Sequence, residues 1–234
     1  MPNLPILTAA FVFSAAAALA HGDVAPQPVN TDALPDVGEE WLGENPYRAM
    51  GPEVWATAVE IGASGFNQNC ARCHGLQAVS GGLAPDLRYL EAEEYGDSWF
   101  VERFQTGYTQ NGVTKMPAFG ALLGQKAAWA IRTYIETRPD GDSLTTHSPR
   151  LGAIRDMLGG FAQSLSDGAA YDGLAPRIAQ ARDELATIAD QITTASGAPV
   201  ADSPAARAAR AIDKGAPGVT EAFEVLTVGL SSAK

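Results

Sequence analysis

The chain has two cysteines, and a histidine follows the second at once, in Cys70-Ala71-Arg72-Cys73-His74. This C-x-x-C-H spacing is the attachment signature of a c-type haem. Two thiols on one short turn can add to the two vinyl groups of a porphyrin. The adjacent imidazole is then held beneath the ring, where it can ligate the iron. Other uses of the pair stay open. A redox dithiol would use Cys70 and Cys73 without His74, and it would want a βαβ setting, whereas the flanks here read as helical. A structural disulfide suits an oxidising compartment. A zinc site needs further ligands, and only His21, His74 and His147 offer imidazoles.

The other face of an iron would need a second ligand. Met116, in Lys115-Met116-Pro117, is the candidate. A thioether is soft and neutral and raises the reduction potential relative to a second imidazole. The alternative is an ordinary core methionine. Met50, Met157, His21 and His147 lie outside the central unit, and Met157 fits an apolar helix stripe. Pro85 offers a carbonyl that can accept a hydrogen bond from the second nitrogen of His74 and so fix the ring. A loop proline with no iron-related task is the alternative. His21, if it becomes the amino terminus, could bind copper beside its free amino group, although a positioned arm explains it better.

Elements must place these residues. Pro52 suits a first helical turn, and Val54, Ala58, Ile61 and Phe66 recur at roughly helical spacing up to Cys70. A Gly- and Pro-rich loop follows. A second helix is expected over 97–106, a loop containing Met116 over 107–119, and a third helix over 124–137. That helix should turn Ala128, Ile131, Tyr134 and Ile135 to the core. Trp99, Phe104 and Phe119 are expected to line the pocket, or simply to pack. Residues 140–147 read as a linker. Beyond it, Ser148-Pro149 and Ser203-Pro204 read as helix starts, with Gly168 and Gly197 as stops. Leu151, Ile154, Leu158, Phe161 and Leu165 form one stripe, and Ile178, Ala181, Leu185, Ile188 and Ile192 form another. Together they predict an antiparallel helical hairpin with shorter helices packed on it.

The ends and the composition bound the rest. Residues 4–20 are apolar and end in Ala18-Leu19-Ala20, which predicts a signal peptide cleaved after Ala20 and a periplasmic destination. An uncleaved anchor is the alternative. No later segment predicts a membrane span, so none is expected to remain after cleavage. Residues 21–51, with four prolines and six acidic side chains, read as an extended arm lying on the next domain, with Trp41, Leu42 and Tyr47 as anchors. The net charge of -11 among 234 residues excludes ordinary nucleic-acid binding. The expected division is 1–20 signal peptide, 21–51 arm, 52–138 haem domain, 139–148 linker and 149–234 helical extension.

The central stretch resembles the class I cytochrome c family. The resemblance rests on Gly62, Phe66 and Cys70 at four-residue intervals, on Ile131 with Tyr134, and on Met116-Pro117. It implies an all-α class I cytochrome c fold around one covalent haem c, held by Cys70 and Cys73, with His74 and Met116 as iron ligands and Pro85 beside His74. Gly62 would permit a close crossing with the last helix. Residues 21–28, 38–42, 61–69 and 81–88 further resemble the periplasmic cytochromes c-550. These accept electrons from quinoprotein (pyrroloquinoline quinone, PQQ) alcohol dehydrogenases. The resemblance implies an electron carrier, not an enzyme, with such a dehydrogenase as donor and a downstream cytochrome c or terminal oxidase as acceptor. Glu91, Glu93, Glu94 and Asp97 could steer a partner, or form a solvated charge run. A peroxidase-like haem enzyme with an open iron site is one rival. A docking or assembly protein working through its C-terminal helices is the other.

Overall fold

The structure, a computed structural model, describes residues 26–231. The signal peptide, its cleavage point and His21 lie outside the described residues. The elements in chain order are α1 (Pro52–Asn69), α2 (Ala71–His74), α3 (Glu94–Thr106), β1 (Tyr108–Gln110), β2 (Val113–Met116), α4 (Gly120–Glu136), α5 (Gly141–Ser166), α6 (Tyr171–Ala189), α7 (Pro204–Ile212) and α8 (Ala216–Ser231). Short 3-10 turns cover Pro46–Arg48, Leu76–Ala78 and Leu87–Tyr89. The fold is all-α, with one small antiparallel hairpin.

Helix α1 starts at Pro52, where a missing N–H costs nothing, and buries Ala58, Val59, Gly62, Gly65 and Phe66. It crosses α4 closely. A Cβ on Gly62 would lie 1.9 Å from the Ala130 carbonyl oxygen, so only a residue without a side chain lets the two backbones meet there. Helix α4 is kinked at Gly124, whose φ of 74° and ψ of 171° are not helical, so its first turn is set off from the rest. From Ala127 to Glu136 every residue of α4 is buried, not only the expected face. A helix buried all round needs cover on every side. Here α1, α3, the arm and part of the C-terminal region supply it.

The arm lies on the central unit as expected. Gln125 receives the Leu42 N–H at 3.2 Å and donates to the carbonyl of Glu40 at 2.8 Å. Tyr47 is fully buried and Trp41 is half-buried, but Leu42 is exposed; Leu34 is the second buried anchor.

The C-terminal helices share a core of Leu144, Leu151, Ile154, Leu158, Phe161, Ile178, Ala181, Leu185, Ile188, Ala208, Ile212, Val219 and Leu226. Helix α5 packs mainly on α8 and α6 mainly on α7, so the two long helices do not chiefly close on each other. The expected linker is not one. Asp140 caps α5, accepting from the Ser143 N–H at 2.9 Å, and residues 141–148 are helical. Pro149 therefore sits inside α5 rather than at its start. The first turn of α5 is polar because its burial is partial, and its cap is Asp140, not Ser148. Ser203-Pro204 does start a helix: the Ser203 hydroxyl accepts from the Ala206 N–H at 3.1 Å. Gly168 follows the end of α5, but α6 ends at Ala189, well before Gly197.

Candidate functional site

The last turn of α1 passes directly into α2. The Cys70 N–H donates to the Phe66 carbonyl at 2.8 Å, and the Cys70 carbonyl accepts from the N–H groups of Cys73 (3.1 Å) and His74 (3.0 Å). Both thiols and the imidazole thus come from one helical turn. The cysteines are not bridged; Cys73 is exposed and Cys70 packs on the central apolar cluster. Burial, with a smaller contribution from Cys73, pushes the Cys70 thiol up to about 12. A redox dithiol needs the opposite shift. Among the described residues, no three His, Cys, Asp or Glu side chains gather as a metal site.

His74 Nδ1 lies 3.0 Å from the Pro85 carbonyl oxygen. A carbonyl only accepts, so Nδ1 is the donor in this contact, and Nε2 is the nitrogen left open to a ligand. The Pro85 loop is itself tied. The Ser80 hydroxyl donates to the Ala84 carbonyl at 2.5 Å, and Arg88 pairs with Asp86 at 2.8 Å. Burial works against the Asp86 charge, but the hydrogen bonds from Arg88 hold its carboxyl below the usual range. Between His74 and this loop, Gln77 (φ 59) and Ala78 (φ 60) are both left-handed without being glycine. Each such residue costs about 1–2 kcal/mol, so its surroundings must hold it there.

Met116 ends β2, opposite Tyr108, and not an irregular loop as expected. It is partly buried against the same cluster as Cys70, while the rest of the hairpin is exposed. Gly107 (φ 71) brings the two ends together: a Cβ there would meet the Met116 carbonyl oxygen at 2.4 Å. Phe104 and Phe119 are buried beside Met116, with ring centroids 5.8 Å apart, and Trp99 is half-buried on the same cluster. The α1–α2 junction therefore presents two thiols and an imidazole next to an apolar cluster that Cys70 joins and that holds Phe104, Phe119 and the Met116 thioether. That donor set fits a covalently attached haem. Of the sequence candidates, Cys70, Cys73 and His74 share one helical turn, Pro85 meets His74 through its carbonyl, and Met116 packs on the same apolar cluster as Cys70.

Two groups of residues escaped the sequence reading. Asp97 is not a steering charge: it is fully buried and pairs with Arg48 at 2.6 Å and Arg132 at 2.8 Å, with Glu136 and Asn45 completing the network. The i, i+4 spacing of Arg132 and Glu136 inside an apolar helix was the available signal. The second group is Gln77, Arg138 and Asp202, which no local pattern connects.

The family model described as "Cytochrome C oxidase, cbb3-type, subunit III" matches residues 57–135. Cytochrome c550 of Pseudomonas aeruginosa is 53% identical over 120 residues, covering 51% of this chain and 82% of that protein. Quinohemoprotein alcohol dehydrogenase ADH-IIG of Pseudomonas putida is 47% identical over 81 residues, 35% of this chain and 11% of the enzyme. ADH IIB of the same organism is 31% identical over 91 residues, 38% of this chain and 12% of the enzyme. No solved structure matches the chain significantly. Helical fold, C-x-x-C-H turn and shared sequence agree: the chain belongs to the cytochrome c550 family of class I c-type cytochromes, electron carriers whose cofactor is covalently bound haem c.

Proposed function

We propose that this chain is a periplasmic one-electron carrier whose haem is tied through Cys70 and Cys73 and ligated by His74 and Met116. The hydrogen bond from His74 Nδ1 to the Pro85 carbonyl is the observation that carries this reading. It turns Nε2 into the free donor and fixes the ring, as iron-bound imidazoles require. When bound, the haem supplies reversible one-electron chemistry. The protein's part is to orient the ligands and keep water from their apolar side. Phe104 and Phe119 do the latter, and the Gly107 approach holds Met116 near the cluster. The proposed division has a haem unit over 52–138, preceded by the arm and followed by the C-terminal helices.

The donor we propose is a PQQ-dependent alcohol dehydrogenase, and the acceptor a downstream cytochrome c or terminal oxidase. The likeness to quinohemoprotein alcohol dehydrogenases over 81 and 91 residues supports the donor. Among the described residues no helix is long and apolar enough to cross a membrane. Two measurements test the reading. Oxidised protein should show the weak near-infrared methionine-sulfur band; a high-spin spectrum with an open iron position would refute Met116 as ligand. Stopped-flow mixing with reduced quinoprotein dehydrogenases should give rapid reduction by at least one, and uniformly slow transfer would refute the donor.

A further inference from the structure

We propose that Arg138 and Asp202 are positioning residues for His74, so that the C-terminal helices help set the reduction potential. The proposal rests on the reading of His74 as an iron ligand. Gln77 stands three residues after His74 in the strained, left-handed pair. Its side-chain oxygen accepts from Arg138 Nη1 at 2.9 Å and lies 3.5 Å from the Tyr134 hydroxyl. Arg138 donates from Nε to the Tyr134 carbonyl at 2.9 Å and from Nη2 to Asp202 at 2.8 Å. Its guanidinium also lies over the Tyr134 ring, 4.0 Å from the centroid. The second Asp202 oxygen accepts from Arg210 of α7 at 2.6 Å, and the Asp202 N–H donates to the Thr137 carbonyl at 2.9 Å. Arg138 and Asp202 are 1% and 4% exposed. A continuous polar chain thus runs from α7 to the backbone just beyond the iron ligand.

Ala78 is buried in the central cluster and the turn closes on itself from Val79 to Leu76, while this polar chain ties the segment to the C-terminal helices. Beside it lies a cavity of about 230 Å³, lined by Gln77, Val79 and Arg88 on one side and by Leu144, Pro204 and Val225 on the other. Apolar packing does not fill the gap between the haem-side loop and the C-terminal helices there. The loop that leaves His74 returns at Pro85 to accept the Nδ1 proton. Releasing Gln77 loosens the loop between those two points. A weaker Nδ1 hydrogen bond makes the imidazole a poorer donor, and a poorer donor favours the reduced iron.

The test is the redox equilibrium of purified holoprotein with a dye of known potential. Gln77→Leu changes no charge and leaves the Arg138–Asp202 pair in place. It should shift the equilibrium toward the reduced protein by about three- to tenfold. Asp202→Asn should shift it further in the same direction, because the Arg138 charge loses its partner. The double variant should shift it less than the product of the two. Gln77→Glu keeps an acceptor for Arg138 and adds a negative charge, so it should not move toward the reduced protein and should shift, if at all, in the opposite direction to Gln77→Leu. Unmoved equilibria in Gln77→Leu, or a double variant equal to the product, would overturn the coupling. Wild-type holoprotein lacking the NMR signature of an iron-bound imidazole would overturn the ligand reading, and the coupling with it.

Discussion

The two candidate iron ligands are supported in opposite ways. His74 lies on a helical turn, and its loop is tied to buried charges that reach the C-terminal helices. Met116 lies at the end of an exposed two-stranded hairpin, held by a backbone contact at Gly107 and by aromatic packing. The first support is polar and long-range in sequence. The second is local. Covalent attachment demands a turn that presents two thiols and an imidazole together, and a helix end does this reliably. A second ligand needs only a chain segment of the right length, so a hairpin suffices.

Breaking each side should therefore fail differently. The largest effect is expected at His74. His74→Ala should abolish low-spin haem and the imidazole signals, whereas Met116→Ala should keep the attached haem, seen as the mass gain, and the imidazole signals, and lose the near-infrared band together with the low-spin state. Asp202→Asn comes next, because it leaves Arg138 buried without its partner. Such changes cost about 3–5 kcal/mol, measurable by denaturant unfolding. Smaller is Gly107→Ala, where a strained φ and a close contact act together. About 1–3 kcal/mol is expected, with weakening of the methionine band while the imidazole signals stay unchanged. Arg150→Ala should be the smallest, since its pair with Glu184 lies on the surface of the C-terminal helices; unfolding should be unaltered.

The pH dependence sharpens the same contrast. Burial works against the Asp202 charge, but Arg138 and Arg210 hold its carboxyl below the usual range. A lowered folded pKa means stabilisation that is full above the unfolded value of about 3.9 and is lost as pH falls through the folded one. Acid should thus loosen the seam on the His74 side. Unfolding followed from pH 6 downward should show a loss that Asp202→Asn largely lacks.

The seam also explains where sequence reasoning stopped. The segment expected to be a linker, and the stretch around Ser196, join the two helical groups through hydrogen bonds. Asp140 donates to the Thr193 carbonyl at 2.9 Å, Ala92 to the Ser196 carbonyl at 3.0 Å, and the Ser196 hydroxyl to the Glu136 carbonyl at 2.5 Å. Each links residues about fifty or more positions apart, beyond any helical or strand period. Polarity suggests exposure at Asp97, yet Asp97 is buried, and so are Arg138 and Asp202, which carry no local signal of it.

Local chemistry settled much of this protein from residue order alone. Cys70, Cys73 and His74 share one turn, so their spacing already determines their juxtaposition. Phe66 follows from helical periodicity, as do the apolar stripes of α5 and α6, and Gly62 from the resemblance to class I cytochromes c. Tertiary structure alone decided which charges are internal, how Met116 is carried, and that the C-terminal helices reach the loop behind His74. Those outcomes depend on pairing groups remote in sequence, where burial turns ordinary surface residue types into obligatory partners.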